Sequence, residues 1–112
     1  MKGTHLGEFE EIILLSIAAL YTEAYGVAIK KHLEAETGRR ISIGAVHAAC
    51  NRLLDKGFLS ATLGEKSDKR GGKRKKCYTV TMAGQRALVA TRDLRNRLWD
   101  QIPGTAFDFG FS

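Results

Sequence analysis

The chain has 112 residues and a formal net charge of +6 at pH 7, with 44% hydrophobic and 27% charged residues. That length suits one domain plus a short extension, and the balance of residue types excludes a wholly disordered chain. Two cysteines without a Cys-x-x-Cys pair exclude a disulfide framework and a typical zinc site, and no apolar run is long enough to span a bilayer, so we expect a cytoplasmic location and no membrane contact.

Helical periodicity marks the first half of the chain. Apolar residues at three- and four-residue spacing predict a first helix over residues 6–21 and a second over residues 25–37, which Gly38 ends. Residues 39–41 are expected to form a very short extended segment. Ser42 is a suitable N-cap for a third helix that reaches about Lys56.

The third helix has an unusual outward face. Ile43, Val46, Cys50, Leu53 and Leu54 form its predicted buried stripe. The opposite face carries small and polar residues, where an ordinary solvent-facing helix carries Glu and Lys. These residues are Gly44, Ala45, His47, Ala48, Ala49, Asn51 and Arg52. Small side chains allow a helix backbone to approach another surface closely.

Two strands are predicted next, over residues 58–63 and 77–81, and a basic segment lies between them. From Lys66 to Lys76 the chain has seven basic residues and one acid, so this segment carries the net charge of the whole chain. Such a concentration is typical of a surface that binds a polyanion. A solvated loop is the alternative interpretation.

Thr81 is expected to cap a fourth helix that runs toward Ile102 and ends at Pro103. Its apolar stripe has no evident partner in the rest of the chain, which indicates that a second copy covers it. The predicted dimer contacts are Ala87, Leu88, Thr91, Leu94, Leu98, Trp99 and Ile102. The tail holds Phe107, Phe109 and Phe111, and their alternate spacing does not establish whether they join this interface.

The order of these elements predicts a mainly α (α+β) fold. It consists of a winged helix-turn-helix DNA-binding domain over residues 1–81, a dimerisation helix over 82–102 and a short tail over 103–112. In this architecture the third helix enters the major groove, while the tip of the hairpin, the wing, lies on the backbone or in the minor groove. The expected DNA contacts are Tyr25, Ser42, Gly44, Ala45, His47, Ala48, Asn51, Arg52, Lys69, Arg70, Lys73, Arg74, Lys75 and Lys76.

Asn51 and Arg52 are the candidates for base reading, because these side chains make bidentate contacts with adenine and guanine edges respectively. A pair between Arg52 and Asp55, or a phosphate contact, is the alternative for Arg52. His47 is expected to touch a base or a phosphate, with packing at the start of the helix as its alternative.

Six segments of the sequence resemble the PadR family of bacterial transcriptional regulators. They are residues 13–15, 24–29, 42–47, 52–59, the basic wing 70–76, and the Tyr-x-x-Thr-x-x-Gly pattern over residues 78–84. The resemblance covers about residues 6–100. It implies a homodimer joined through the C-terminal helix, a palindromic operator, and repression as the usual outcome. His47 stands where the family commonly has tyrosine, which affects the operator sequence more than the fold.

Two residues keep alternative interpretations. Trp99 is either a packing anchor at the dimer seam or, as the resemblance implies, part of a site for a small flat aromatic effector. Cys77 lies beside Lys75 and Lys76, so a redox sensor is a hypothesis there, whereas Cys50 is expected to be a buried, inert thiol. No catalytic, metal-binding or cofactor-binding pattern is present, so an enzyme is not expected. The alternative function is a winged-helix protein–protein interaction module without specific DNA binding.

Overall fold

A computed structural model describes residues 5–66 and 74–107 of the chain. The elements run in the order α1 (Glu8–Leu20), α2 (Gly26–Thr37), α3 (Ile43–Asp55), β1 (Leu59–Lys66), β2 (Arg74–Val80) and α4 (Met82–Asp100), and one 3-10 turn at Tyr21–Glu23 joins α1 to α2. The predicted order of three helices, a hairpin and a fourth helix is confirmed. Both strands extend further toward the basic segment than the sequence predicted. The division into domains stays a prediction.

Local chemistry sets the helix ends as expected. The Ser42 hydroxyl accepts a hydrogen bond from the Ala45 amide at 3.0 Å, and the Thr81 hydroxyl accepts one from the Gly84 amide at 3.1 Å. Both are N-cap bonds that satisfy an otherwise unpaired donor of the first turn. Gly38 ends α2 in the left-handed conformation, with φ of 70°. These three sequence predictions are confirmed.

The core lies between α1, α2 and α3, and the hairpin closes one side of it. Ile13, Ile29 and Leu53 are fully buried, and the hairpin contributes Leu59 and Tyr78. β1 and β2 pair antiparallel, with Leu59 opposite Val80 and Ala61 opposite Tyr78. The helices and the hairpin therefore share one apolar core.

The base of the hairpin is also tied to the segment that precedes α2. The Tyr78 amide donates to the Ala24 carbonyl oxygen at 3.0 Å, and Tyr25 forms an isolated antiparallel bridge with Cys77. The extended segment expected over residues 39–41 pairs with no strand in the described part of the chain. Its Ile41 amide donates instead to the Glu34 carboxylate at 3.0 Å.

α4 starts in close contact with Phe58, in the turn between α3 and β1, and then leaves the body of the protein. A Cβ at Gly84 would overlap with the carbonyl oxygen of Phe58, so only glycine allows this approach. The described residues extend over 60 × 33 × 22 Å with a radius of gyration of 17.1 Å. A compact chain of this length has a radius of gyration of about 13 Å. None of the helices within the described ranges has the length and apolarity that a bilayer crossing requires.

Candidate nucleic-acid interface

The outward face of α3 is small and largely free of charge. Gly44, Ala45, His47, Ala48 and Asn51 are all exposed, as the periodicity predicted. Ser42, the N-cap, is exposed at the start of the same helix. This face therefore presents little side-chain bulk over its first three turns.

Two residues of α3 lie on a different face from the one predicted. Ala49 is fully buried and Ile43 is 37% exposed, the reverse of what the sequence predicted for each. At 100° per residue Ala49 and Ile43 each lie about 60° from Val46, on opposite sides of it, so both stand at the margins of the buried stripe. Helical spacing alone did not identify the margin, because alanine is compatible with either face.

Arg52 is turned away from the middle of this face. Its Nε donates to Glu10 Oε2 at 2.8 Å, while Lys56 Nζ donates to Glu10 Oε1 at 2.6 Å and the Gly7 amide to the same oxygen at 3.2 Å. Burial raises the pKa of Glu10, but the hydrogen bonds from Lys56 and Arg52 outweigh burial and hold that pKa below its usual range. The Glu10 carboxylate thus joins the start of α1 to the last turns of α3.

This ion pair corrects the expected partner of Arg52. The alternative pair with Asp55 is wrong, because the guanidinium meets a carboxylate that lies 42 residues away in the chain. Readout of a guanine edge by Arg52 stays a prediction, since the guanidinium is held at Glu10 through Nε while the side chain is 52% exposed. The one local signal was the position of Glu10 three residues after Gly7, since a carboxylate there can accept a hydrogen bond from the N-cap amide.

An open cleft of about 770 Å³ lies beside α3, between the first turn of α2 and the base of the hairpin. It brings together five of the predicted DNA contacts: Tyr25, His47, Asn51, Lys75 and Lys76. Lys31 and Gly26 also line it, although neither was predicted as a contact. Their place in the first two turns of α2, directly after Tyr25, was the available signal.

Tyr25 and Lys75 hold the hairpin against α2 inside this cleft. The Lys75 ammonium lies 5.0 Å from the centroid of the Tyr25 ring, within the range of a cation–π contact. Lys75 is half-buried, whereas Lys76 is exposed. Lys76 is therefore the lysine of this pair that is open to a partner.

Part of the predicted wing surface falls on residues that are not described. Lys69, Arg70 and Lys73 lie outside the described residues. Arg74 is described as a backbone residue of β2 and pairs with Lys66 across the hairpin, after an irregularity in the register that follows Leu63. The structure therefore pairs the two strands at the ends of the basic segment, and its Lys75–Lys76 end lines the cleft.

The two cysteines occupy different environments. Burial raises the pKa of the Cys50 thiol to about 11, which fits the expected inert thiol. Burial also raises the pKa of the neighbouring Tyr78 hydroxyl to about 12. Cys77 is half-buried, and its thiol donates to the Thr22 carbonyl oxygen at 3.6 Å. A redox role for Cys77 stays a hypothesis.

The predicted dimer contacts on α4 divide into two groups. Ala87 and Leu88 pack in part against the core of their own chain. Leu94, Leu98 and Trp99 are 48%, 54% and 65% exposed, so they form an uncovered apolar surface on the part of α4 that leaves the body. Thr91 and Ile102 are half-buried.

Two contacts fix the surroundings of this apolar surface. The Trp99 ring meets Phe107 edge-on, with ring centroids 6.2 Å apart, so the described part of the tail folds back on α4. Arg95 Nη2 donates to Glu11 Oε1 at 2.9 Å and links α4 to α1.

Comparisons with known proteins identify relatives of this fold. The model of the transcriptional regulator PadR-like family matches residues 14–90. RosR from H. salinarum is 25% identical, with a TM-score of 0.67 over 88% of this chain and 81% of that one. A PadR family transcriptional regulator from Eggerthella lenta is 28% identical, with a TM-score of 0.62 over 79% of this chain and 74% of that one.

A PadR-like transcription factor from Bacteroides fragilis is 24% identical, with a TM-score of 0.68 over 82% of this chain and 84% of that one, and it supports the fold alone. No curated protein matches the chain.

Proposed function

The chain belongs to the PadR-like family of transcriptional regulators, and from this premise we propose that it binds double-stranded DNA as a homodimer and represses transcription from a palindromic operator. The family consists of transcriptional regulators and not of enzymes. The observation that carries the proposal is the exposed, small-residue face of α3 beside a cleft that contains Lys31, Lys75 and Lys76.

The face of α3 suits the major groove. That groove is about 12 Å wide and admits an α-helix. Gly44, Ala45 and Ala48 are exposed and carry little bulk, so the backbone of α3 can approach the base edges. Asn51 lies on the same face and on the cleft, where its amide can pair with an adenine edge. We assign base readout to Asn51 and His47 and give Arg52 a supporting role at the margin.

The hairpin suits the phosphate backbone. The segment from Lys66 to Lys76 has a net charge of +6, and its last two lysines, Lys75 and Lys76, line the cleft. Lysine and arginine neutralise phosphates and release counterions, which favours binding of any duplex sequence. The wing therefore supplies affinity, and α3 supplies the sequence preference.

The uncovered surface of α4 suits a second copy of the chain. Leu94, Leu98 and Trp99 are about half exposed or more, at 48%, 54% and 65%, and an isolated helix with such a surface is marginal in water. A two-fold dimer through α4 would present two α3 helices to half-sites about 34–36 Å apart, one turn of the duplex. Two-fold symmetry of the protein predicts a palindromic operator.

A small flat aromatic effector is a further part of this proposal. Trp99 is 65% exposed and carries Phe107 on its edge, so two copies of this pair would meet near the dimer seam. Quenching of the single tryptophan's fluorescence by such a compound tests this role, and an unchanged emission in the dimer contradicts it. The cytoplasmic location stays a prediction. The bacterial origin also stays a prediction, since the similar protein RosR is archaeal.

The decisive experiment is selection of bound sequences from a pool of random duplexes, followed by footprinting of the winner. We expect a two-fold symmetric site with half-sites one helical turn apart, and an affinity that falls steeply between about 50 and 200 mM salt. The proposal is refuted if the protein binds no duplex, or if its affinity depends on neither the DNA sequence nor the salt concentration. A partner protein bound with little salt dependence would instead support an interaction module.

A further inference from the structure

Gly26, the first residue of α2, lies directly beneath the side chain of His47 on α3. A Cβ built on Gly26 would lie 3.0 Å from Nε2 and 3.5 Å from Cδ2 of the His47 ring. Ordinary contacts between heavy atoms lie at about 3.5–4.0 Å. A methyl group at position 26 would therefore move the imidazole by a few tenths of an ångström.

Backbone conformation does not explain why glycine stands here. Among the described residues, the glycines with a positive φ are Gly38 and Gly57, so Gly26 has a conformation that any residue adopts. The contact with His47 is what an alanine would disturb. The next atom, Ile43 Cδ1, would lie at an ordinary distance of 3.5 Å.

The contact also covers part of the imidazole ring. Nε2 and Cδ2 are the His47 atoms nearest to Gly26, so the first turn of α2 lies against this part of the ring. His47 is exposed in the second turn of α3 and lines the cleft together with Asn51 and Lys76. The exposed ring is thus on the surface that carries the proposed DNA contacts.

We propose that Gly26 is a positioning residue for DNA recognition: without a side chain, it lets the His47 ring lie against the first turn of α2, in the position from which the exposed ring contacts the duplex. This inference rests on the proposed function. Hydrogen bonds weaken outside a narrow range of distance and angle. Displacement of the ring by a few tenths of an ångström is therefore enough to impair a contact with a base or a phosphate.

A double-mutant cycle on DNA binding tests this role. The variants are Gly26→Ala, His47→Ala and the combination, measured on the duplex that the wild-type protein prefers. We expect Gly26→Ala to weaken binding at least about fivefold, the lower end for one directional contact. In the His47→Ala background the same change should have less than about a twofold effect, because the displaced ring is gone.

Two further variants and one measurement complete the test. Gly7→Ala is the matched control, since a Cβ there would meet only Glu10 Oε1, at 3.9 Å, and it should leave binding unchanged. Thermal unfolding should show no loss of stability in Gly26→Ala, because alanine favours a helix more than glycine does. Wild-type affinity of Gly26→Ala, or an equal loss in both backgrounds, would overturn the proposal.

A measurement without DNA separates this inference from the proposed function. In the NMR spectrum of the free protein, Gly26→Ala should shift the ring signals of His47 and leave those of His5 and His32 in place. Unchanged His47 signals would overturn the proposed contact whatever the DNA result. If the wild-type protein binds no duplex, the proposed function and with it the recognition role are refuted. A shift of the His47 signals caused by Gly26→Ala would still establish the contact between the two residues.

Discussion

The apolar surface of α4 leads to a quantitative prediction about assembly: Leu94→Glu combined with Leu98→Glu should dissociate the proposed dimer. Both leucines are about half exposed in the single chain, at 48% and 54%. Full burial of a leucine side chain contributes roughly 1.5–3 kcal/mol, so covering the remaining half contributes about 1 kcal/mol.

The two-fold symmetry multiplies this effect. Each substitution occurs in both copies, so four half-exposed side chains lose their cover and the dimer loses about 3–6 kcal/mol. That loss of free energy raises the dissociation constant of the dimer roughly 10²–10⁴-fold. Buried glutamates would add a desolvation cost to this loss. Because operator binding needs two half-sites, affinity for the palindrome should fall with the dimer.

Sedimentation and duplex binding measure the outcome. The charge-matched control is Gln85→Glu with Asn96→Glu, because both residues are exposed and lie on the far side of α4 from the two leucines. We expect the control to remain a dimer with near wild-type binding. A Leu94/Leu98 variant that still sediments as a dimer and binds the operator normally would show that α4 is not the interface.

Three more substitutions probe DNA binding and stability. Asn51→Ala should weaken binding to the preferred duplex by about 1–3 kcal/mol and relax the protein's preference at one base pair. If sequence selection with this variant returns the original site, Asn51 does not read a base. Lys75→Ala with Lys76→Ala should weaken binding to all duplexes. The slope of log affinity against log salt concentration should fall by ~0.9 for each phosphate that is no longer neutralised. Lys30→Ala is the control and should leave the slope unchanged, because the Lys30 ammonium pairs with Glu34 at 2.9 Å. The pKa of Glu10 lies below its ordinary value of 4.5 in the folded protein, so its stabilising effect is present above that pH and is lost as the pH falls through the lowered pKa. Denaturant unfolding should therefore show Glu10→Gln to be less stable than wild type at pH 7, with a smaller difference in strong acid, and a constant difference would contradict this reasoning.

The order of elements and their ends could be predicted from the sequence because they depend on local chemistry. Ser42 and Thr81 cap their helices, and Gly38 adopts the left-handed conformation that ends α2. The basic segment between the strands could also be located, since its charge needs no structure to be counted. The exposed face of α3 followed from the helical period, except at the margins occupied by Ala49 and Ile43.

Contacts between distant residues were decided by tertiary packing alone. Glu10 forms an ion pair with Arg52, 42 residues away in the chain, and Gly26 lies against the His47 ring. Both contacts depend on how α1 and α2 pack against α3, which the helical periodicity of the sequence does not specify. Tyr25 likewise contacts Cys77 and Lys75 only because β2 packs against the segment that precedes α2. The sequence by itself determined the order of the helices and strands, the capped helix ends and where the charge is concentrated. The tertiary structure decided which of those side chains remain free for a partner, because an ion pair or a ring contact depends on distances set by the whole core.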